Sequence, residues 1–270
     1  MSATEDAGRP ANRVRPLRSV RRAARRWRRT IGIHLGLLPA PAKRGYMICA
    51  MPRSGSNYLC QLLASTQILG NPLEYFNTSG RQWQTDPKYP SDRRAQIDIV
   101  RSLGATPNGI YAVKILPPQL ESVEKRIDLF RHLPNLTLFR LGRRDLLGQA
   151  ISLARARQTG QYIASHPPTG APAYSQHQIR ACIAALRKHE AMLDERIGRL
   201  DMKPAAFQYE DILRDPQRVV DRIALLMGLA LPVAVDSALV THTVQRDDST
   251  IVWRERFLAE TGEEFRHLIS

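Results

Sequence analysis

Short apolar runs alternate with longer segments of helical periodicity along most of the chain. The apolar runs lie at 46–51, 110–115, 136–142 and 205–209. Helices are expected at about 57–67, 91–103, 144–157, 175–197, 211–213, 216–228 and 250–260, with one more, started by proline, after the second run. This alternation predicts an α/β fold with a mostly parallel central sheet and helices on both faces.

The first apolar run ends in the stretch Pro52-Arg53-Ser54-Gly55-Ser56-Asn57 and then enters a helix. Small side chains let an anion approach the backbone, where N–H groups and the helix dipole favour negative charge. Arg53 adds a guanidinium suited to an oxyanion. The stretch lacks the lysine and second glycine of the ATPase-type P-loop. Taken alone, it indicates either an anion cradle or a Ser/Gly turn that caps a helix.

Polar residues recur where the predicted strands end. Lys114 lies near the end of the second strand, Arg143 follows the third, and Glu210 and Asp211 follow the fourth. Because ligands of open α/β sheets bind at the carboxyl ends of the strands, these residues and the Arg53 stretch are expected to share one edge. This convergence favours the anion cradle.

The positive charge is concentrated at the start of the chain. Of the net +15, residues 1–44 contribute +10, from twelve Lys/Arg and two acids. We predict two regions: 1–44, an arginine-rich tail that is disordered or an amphipathic helix, and 45–270, a single domain. The tail suits an anionic membrane surface, with a cleaved leader and a nucleic-acid arm as alternatives. Its apolar run, 31–38, is too short to span a bilayer.

The three cysteines, Cys49, Cys60 and Cys182, form no C-x-x-C pair and no disulfide framework. Cys49 and Cys60 are interpreted as small core residues. A reducing cytoplasm is expected, and no metal site is expected.

Four blocks in order carry a family resemblance: "PRSGSNYLCQLLASTQILGNPLEYFN", "TPNGIYAVKILPPQ", "RRDLLGQAISLARARQTGQY" and "FQYEDILRDPQRVVDRIALLMGL". Together they resemble the bacterial sulfotransferases typified by trehalose 2-sulfotransferase. The resemblance runs from about Tyr46 to Trp253. It implies a P-loop-like fold and an enzyme that uses 3′-phosphoadenosine 5′-phosphosulfate (PAPS) as the sulfuryl donor, without a metal.

The resemblance also implies the residues that hold PAPS. The cradle for the 5′-phosphosulfate corresponds to Arg53, Ser54, Gly55, Ser56 and Asn57, with asparagine where the family usually has threonine. Arg143 and Ser152 stand at the positions that bind the 3′-phosphate, although the neighbouring Arg140 or Arg144 could replace Arg143. Arg246, in a late loop, is a further expected phosphate contact.

The catalytic base implied by the family is Glu74, which stands in "NPLEYF". Without the resemblance, Glu74 would be interpreted as a surface loop carboxylate. The stretch at the end of the second strand, Lys114-Ile-Leu-Pro117, lacks the histidine that many eukaryotic sulfotransferases have shortly after this strand. Arg53 is expected to stabilise the leaving phosphate, and Lys114 to add positive charge or orient the substrate.

The acceptor is expected beside Glu74, and a carbohydrate or glycolipid is the preferred class. The residues assigned to acceptor binding, whose aromatic members could equally be core, are Tyr75, Phe76, Trp83, Gln158 and Thr159, with Tyr162 nearby. A homodimer is expected from the resemblance. The expected location is cytoplasmic and peripheral to the inner face of the membrane, with no nucleic-acid partner.

Two other functions fit the sequence less well. A P-loop nucleotide kinase or phosphotransferase requires a lysine and a magnesium-binding carboxylate, which the cradle lacks. A non-catalytic basic binding protein explains the tail but not the ordered blocks of the domain.

Overall fold

The structure is a computed structural model, and it describes residues 40–77, 92–162, 168–200, 202–241 and 248–269. By internal contacts the chain divides into two units, Met1–Leu38 and Pro39–Ser270. The described residues all belong to the second unit. The predicted boundary between 44 and 45 therefore stays a prediction, because the tail lies outside the described residues.

The described part contains a parallel sheet of four strands in the order β2-β1-β3-β4. The strands are β1 (Arg44–Ala50), β2 (Ile110–Ile115), β3 (Leu136–Gly142) and β4 (Ala205–Gln208). Residues of β1 pair with both neighbours, as Tyr46 does with Ala112 of β2 and Thr137 of β3. The parallel sheet expected from the apolar runs is confirmed.

Helices connect the strands and continue after β4. They are α1 (Ser56–Ser65), α2 (Arg93–Leu103), α3 (Pro117–Glu124), α4 (Leu129–His132), α5 (Leu146–Thr159), α6 (Gln176–Gly198), α7 (Tyr209–Arg214), α8 (Pro216–Leu226) and α9 (Asp248–Thr261), with 3-10 turns at Ser237–Leu239 and Gly262–Leu268. Each expected helix has a counterpart, and α4 was not expected.

The helix α5 begins two residues later than predicted because Asp145 is its N-cap. The Asp145 carboxylate accepts a hydrogen bond from the Gly148 N–H, so the preceding arginines lie outside the helix. The helix ends at Thr159 and is followed by Gly160, whose φ of 65° is left-handed and suits glycine.

Both faces of the sheet are covered by helices, as predicted. On one face, Tyr46, Ile48 and Ala50 of β1 pack in a core cluster with α1 and α8. On the other, Arg140 of β3 binds Glu190 of α6, and α6 packs with α5 and α9 around residues such as Ile151, Ile183 and Phe257.

The order of the strands decides where the loop after β1 lies. Because β1 stands between β2 and β3, the chain leaves β1 toward one neighbour and later returns to the other. The carboxyl end of β1 is thus the point where the strand order reverses, which is where ligands of open α/β sheets bind. The ends of β2 and β3 flank this point.

The three cysteines are free and buried, which confirms the interpretation of Cys49 and Cys60 as core residues. Burial raises the pKa of the Cys49 thiol to about 12. Among the described residues, no helix is both long enough and apolar enough to cross a membrane.

Candidate functional site

The loop between β1 and α1 has an unusual backbone. Arg53 and Gly55 both adopt left-handed conformations, with φ of 61° and 74°. Gly55 also lies against the Tyr209 ring, since a Cβ at this position would be 2.2 Å from Tyr209 Cδ2. The glycine is therefore required by both its conformation and its contact.

Two side chains hold this loop in place. The buried Ser54 donates both its hydroxyl and its backbone N–H to the Met51 carbonyl, at 2.7 and 3.3 Å. Gln149 of α5 donates from Nε2 to the Pro52 carbonyl at 2.6 Å. The Ser54 hydroxyl thus points inward, whereas the backbone N–H groups of Ser56 and Asn57 belong to the first turn of α1, where a helix makes no internal bonds from its N–H groups.

Arg53 and Ser152, two predicted cofactor residues far apart in sequence, are in contact. Arg53 Nε donates to Ser152 Oγ at 2.9 Å, and Arg53 Nη1 donates to the Tyr162 carbonyl at 2.7 Å. Burial, and then the neighbouring guanidiniums of Arg143 and Arg155, lower the pKa of Arg53. Arg53 therefore lies half-buried close to two other guanidiniums.

Arg143 faces the same loop from the end of β3. Its Nη1 lies 3.5 Å from the Arg53 carbonyl, and its Cζ lies 5.0 Å from the centre of the Tyr209 ring. Its Nη2 donates to Asp145 Oδ2 at 3.2 Å. Arg143 is thus held beside the loop by an aromatic ring and a carboxylate.

The two neighbouring arginines have other partners. Arg140 binds Glu190 at 3.0 Å and also Asp194, both on α6. Arg144 binds Asp211 at 2.8 Å and is more exposed than Arg143. Of the three arginines that were considered for the 3′-phosphate, Arg143 is the one that the structure brings next to Arg53.

Arg53 and Arg143 form a cationic cluster with two more arginines, neither of which was predicted from the sequence. Arg254 of α9 donates to Asp145 Oδ2 at 2.5 Å, beside Arg143. Arg155 lies one turn after Ser152 on α5 and donates to Thr250 Oγ1 at 2.9 Å. The spacing from Ser152 could have indicated Arg155, whereas the position of Arg254 depends on how α9 packs.

On the other side of the loop, Glu74 and Lys114 form a buried ion pair. The backbone N–H of Lys114 donates to the Leu73 carbonyl at 3.0 Å, which brings the segment after α1 alongside β2. Lys114 Nζ then lies 2.6 Å from Glu74 Oε1, and the side chains are only 3% and 13% exposed.

The Lys114 ammonium also contacts the loop. Its Nζ donates to Asn57 Oδ1 at 2.6 Å, so one ammonium joins the start of α1 to the Glu74 carboxylate. The second oxygen of Glu74 accepts from Gln119 Nε2 at 2.7 Å and from Asn77 Nδ2 at 3.0 Å. Gln119 was not considered in the sequence analysis.

The residues assigned to acceptor binding differ in their burial and in their partners. Tyr75 and Phe76 are 1% and 2% exposed and belong to the core, which is the alternative that had been left open for them. Thr159 is buried and bonds back to the Arg155 carbonyl, and Gln158 donates to the Ala173 carbonyl. Tyr162 is 52% exposed. The expected contacts Trp83 and Arg246 lie outside the described residues.

This arrangement can bind an anion and accept a proton at neighbouring places. Arg53, Arg143 and the first turn of α1 surround one side of the loop, and the Glu74 carboxylate lies on the other. Lys114 connects the two sides.

The chain is similar to known proteins over most of its length. The family model described as Stf0 sulphotransferase matches residues 45–260. The trehalose 2-sulfotransferase of Mycolicibacterium smegmatis is 26% identical over 255 residues, which cover 78% of this chain and 93% of that protein. The trehalose 2-sulfotransferase of Mycobacterium tuberculosis is 25% identical, with 81% and 96% covered.

Among solved structures, the sulfotransferase STF1 from Mycobacterium tuberculosis H37Rv aligns with a TM-score of 0.45 and 14% identity, covering 90% of this chain and 83% of that one. The family model spans most of the described domain, from β1 into α9. The chain belongs to the Stf0 sulphotransferase family.

Proposed function

We propose that this protein transfers the sulfuryl group of PAPS to a hydroxyl group of a carbohydrate or glycolipid, with Glu74 as the general base. The observation that carries the proposal is the position of the Lys114 ammonium, 2.6 Å from both Asn57 Oδ1 and Glu74 Oε1. It joins the loop assigned to the phosphosulfate with the carboxylate assigned to the acceptor. A sulfuryl transfer needs both functions within reach of one sulfur atom.

The cationic cluster fits the donor. PAPS carries a phosphosulfate and a separate 3′-phosphate, and the loop offers Arg53 near Ser152 with Arg143 alongside. The lowered pKa of Arg53 reflects burial and like charges that a bound polyanion would compensate. The helix α1 begins directly after Gly55, and the N–H groups of its first turn can donate to an anion. Because guanidiniums supply the charge, we expect PAPS to bind without added metal.

The reaction can be followed atom by atom. The acceptor O–H bond breaks as its proton passes to the Glu74 carboxylate, and the acceptor oxygen forms a new bond to sulfur. The bond between sulfur and the bridging oxygen breaks, and its electron pair stays on the phosphate of 3′,5′-bisphosphoadenosine. Arg53, the first N–H groups of α1 and Lys114 stabilise that charge as it develops. The protonated Glu74 then loses its proton to solvent.

The acceptor class rests on the family and on the relatives, whose names state trehalose as their substrate. The exposed ring of Tyr162, whose carbonyl is bound by Arg53, is the described aromatic surface best placed to contact a sugar. Trp83 stays a prediction for the same role. We further propose that the protein is a homodimer in the cytoplasm, at the inner face of the membrane.

The donor assignment is tested by calorimetric titration of the purified protein with 3′,5′-bisphosphoadenosine, and separately with ATP plus Mg²⁺. We expect micromolar binding of the bisphosphate without metal and a large loss of affinity in Arg53→Ala. A preference for ATP with Mg²⁺ would instead favour the nucleotide phosphotransferase.

The base assignment is tested by turnover of radiolabelled PAPS with trehalose and a panel of other sugars as acceptors. Losing a general base costs on the order of 10²–10⁴ in rate, so Glu74→Gln should retain bisphosphate binding and lose turnover to that extent. Near-normal turnover in Glu74→Gln would refute the role of Glu74.

A further inference from the structure

Gln119 lies between the end of β2 and Glu74. It is the third residue of α3, which begins at Pro117, and both ends of its side-chain amide are bonded. Its Oε1 accepts from the Leu116 backbone N–H at 3.1 Å, and its Nε2 donates to Glu74 Oε2 at 2.7 Å. The side chain therefore links the start of a helix to the proposed base.

The orientation of this amide follows from the chemistry of its partners. A backbone N–H can only donate, so the amide atom that faces Leu116 must be the oxygen. The NH₂ group must then face Glu74, and an N–H donor pairs better with a carboxylate oxygen than with the hydroxyl of a carboxylic acid. Two rigid neighbours support this geometry, because Pro117 and Pro118 fix the backbone at the start of α3.

We propose that Gln119 is a positioning residue for Glu74, an inference that rests on the proposed function of Glu74 as the base. Gln119 holds Oε2, so that Oε1 is directed to Lys114 and to the loop. It also favours the charged form of Glu74, the form that can accept a proton. After the transfer, the same N–H faces a protonated carboxyl and favours release of the proton.

Three neighbours surround the Glu74 carboxyl in the described part of the chain. They are the Lys114 ammonium from β2, the Gln119 amide from α3 and the Asn77 amide from the loop that carries Glu74 itself. Lys114 contributes charge, whereas Gln119 and Asn77 contribute dipoles. Gln119 carries no charge, so a Gln119 substitution changes a donor to Glu74 without removing the Lys114 ammonium.

Two substitutions separate helix capping from positioning. Gln119→Glu keeps an oxygen that can accept from the Leu116 N–H, as glutamate does at this helical position, but it has no donor for Glu74. Gln119→Met removes both bonds at similar volume. Glu121→Gln, on the same helix, is a control, because Glu121 is half exposed and binds Lys125.

The primary measurement is the pH titration of the Glu74 side-chain carboxyl by ¹³C NMR of the full chain, with the signal assigned by its loss in Glu74→Gln. Losing the donor should raise the titration midpoint by roughly one pH unit in Gln119→Met, and the added carboxylate should raise it further in Gln119→Glu. Glu121→Gln should leave it unchanged. The acid side of the turnover profile should shift in the same direction.

An unchanged Glu74 midpoint in both Gln119 variants would overturn the inference and leave Gln119 as a helix cap. The NMR titration needs no acceptor, so its result is independent of the turnover of Glu74→Gln, which tests the proposed function. Gln119→Glu retains the cap and is expected to fold even if Gln119→Met does not, which keeps the test decisive.

Discussion

At the scale of single residues, the buried pair of Lys114 and Glu74 is the strongest constraint in the site. Burying two charges is costly, and removing one partner leaves the other charge uncompensated. We expect Lys114→Met to lower the free energy of unfolding by about 3–5 kcal/mol. The double variant Lys114→Met/Glu74→Gln should recover much of this loss, because no isolated carboxylate remains.

Urea denaturation of the unaltered protein, of Lys114→Met and of the double variant measures these differences in the free energy of unfolding. The exposed pair Lys125–Glu121 is a suitable control, since its side chains are 70% and 50% exposed. Lys125→Met should change the free energy of unfolding by less than about 1 kcal/mol. If Lys114→Met cost no more than this control, the buried pair would not have the energetic role assigned to it.

Gly55 supports a second prediction at the residue scale. Gly55→Ala places a Cβ at 2.2 Å from the Tyr209 ring and also forces alanine into a left-handed conformation. Gly109→Ala is a matched control, because Gly109 has a φ of 78° but no atom within 4 Å of its added Cβ. The control should cost about 1 kcal/mol for backbone strain alone.

We expect Gly55→Ala to cost clearly more than Gly109→Ala in thermal unfolding, and to weaken binding of 3′,5′-bisphosphoadenosine by at least about tenfold. Displacement of the Tyr209 ring should also disturb Arg143, which stacks on it. If Gly55→Ala lost no more stability than Gly109→Ala and bound the bisphosphate normally, the loop would tolerate a Cβ against the Tyr209 ring.

Glu74 and Lys114 were both predicted as site residues, but their ion pair was not. They are forty positions apart in the sequence, and they meet because the segment around Leu73 joins the edge of β2. A lysine in the otherwise apolar run Ile110–Ile115 was a signal, since a buried lysine requires a partner. Gln119 carried a weaker signal, its place three residues after Leu116 at a proline-started helix.

At the scale of elements, β3 and the residues after it explain why neighbouring arginines have different surroundings. Arg140 lies within the strand and turns toward α6, whereas Arg143 lies after the strand end and turns toward the β1 loop. Arg144 bonds to Asp211 on α7. The positions at which β3 ends and α5 begins thus determine which arginine faces the loop between β1 and α1.

We therefore predict that Arg143→Ala weakens binding of 3′,5′-bisphosphoadenosine by about 10- to 100-fold, the range expected when a charged hydrogen bond is lost. Arg140→Ala and Arg144→Ala, which remove the same charge nearby, should each change affinity by less than about threefold. Calorimetric titration at one fixed salt concentration compares all three. A loss of affinity in Arg140→Ala as large as that in Arg143→Ala would contradict the assignment of Arg143 as the contact of the 3′-phosphate.

The boundaries of the elements could be predicted where local signals are strong. The apolar runs located all four described strands to within two residues, and the helices followed from periodicity between breakers. The start of α5 was predicted at Arg144, two residues too early, because the Asp145 side chain caps the helix. The short helix α4, started by Asp128, is too brief for periodicity to indicate.

At the scale of the whole molecule, the parallel sheet follows from strand–helix alternation, but the strand order does not. Alternation leaves open on which side of β1 each later strand is added. The order β2-β1-β3-β4 places Lys114 on one side of the β1 loop and Arg143 on the other. The sequence therefore predicts that the site residues lie at one edge of the sheet. It does not predict which of them contact one another.

Charge is distributed unevenly over the chain, with twelve Lys/Arg among residues 1–44 against a nearly balanced remainder. The structure does not describe this tail, so its role stays a prediction that depends on electrostatics. Each basic side chain near an anionic lipid surface contributes about 1 kcal/mol of binding, and the effect is screened by salt. Such attraction would bring the enzyme to a glycolipid acceptor.

The last prediction uses the full chain with six tail arginines replaced: Arg21, Arg22, Arg25, Arg26, Arg28 and Arg29. Their replacement by glutamine should abolish co-sedimentation with vesicles of phosphatidylcholine and phosphatidylglycerol, whereas replacement by lysine keeps the charge and should preserve it. Binding of the unaltered chain should weaken as salt rises and vanish on pure phosphatidylcholine. Equal sedimentation of the glutamine and lysine variants would exclude an electrostatic role for the tail. Unchanged bisphosphate binding in both variants would show that the tail acts apart from the donor site.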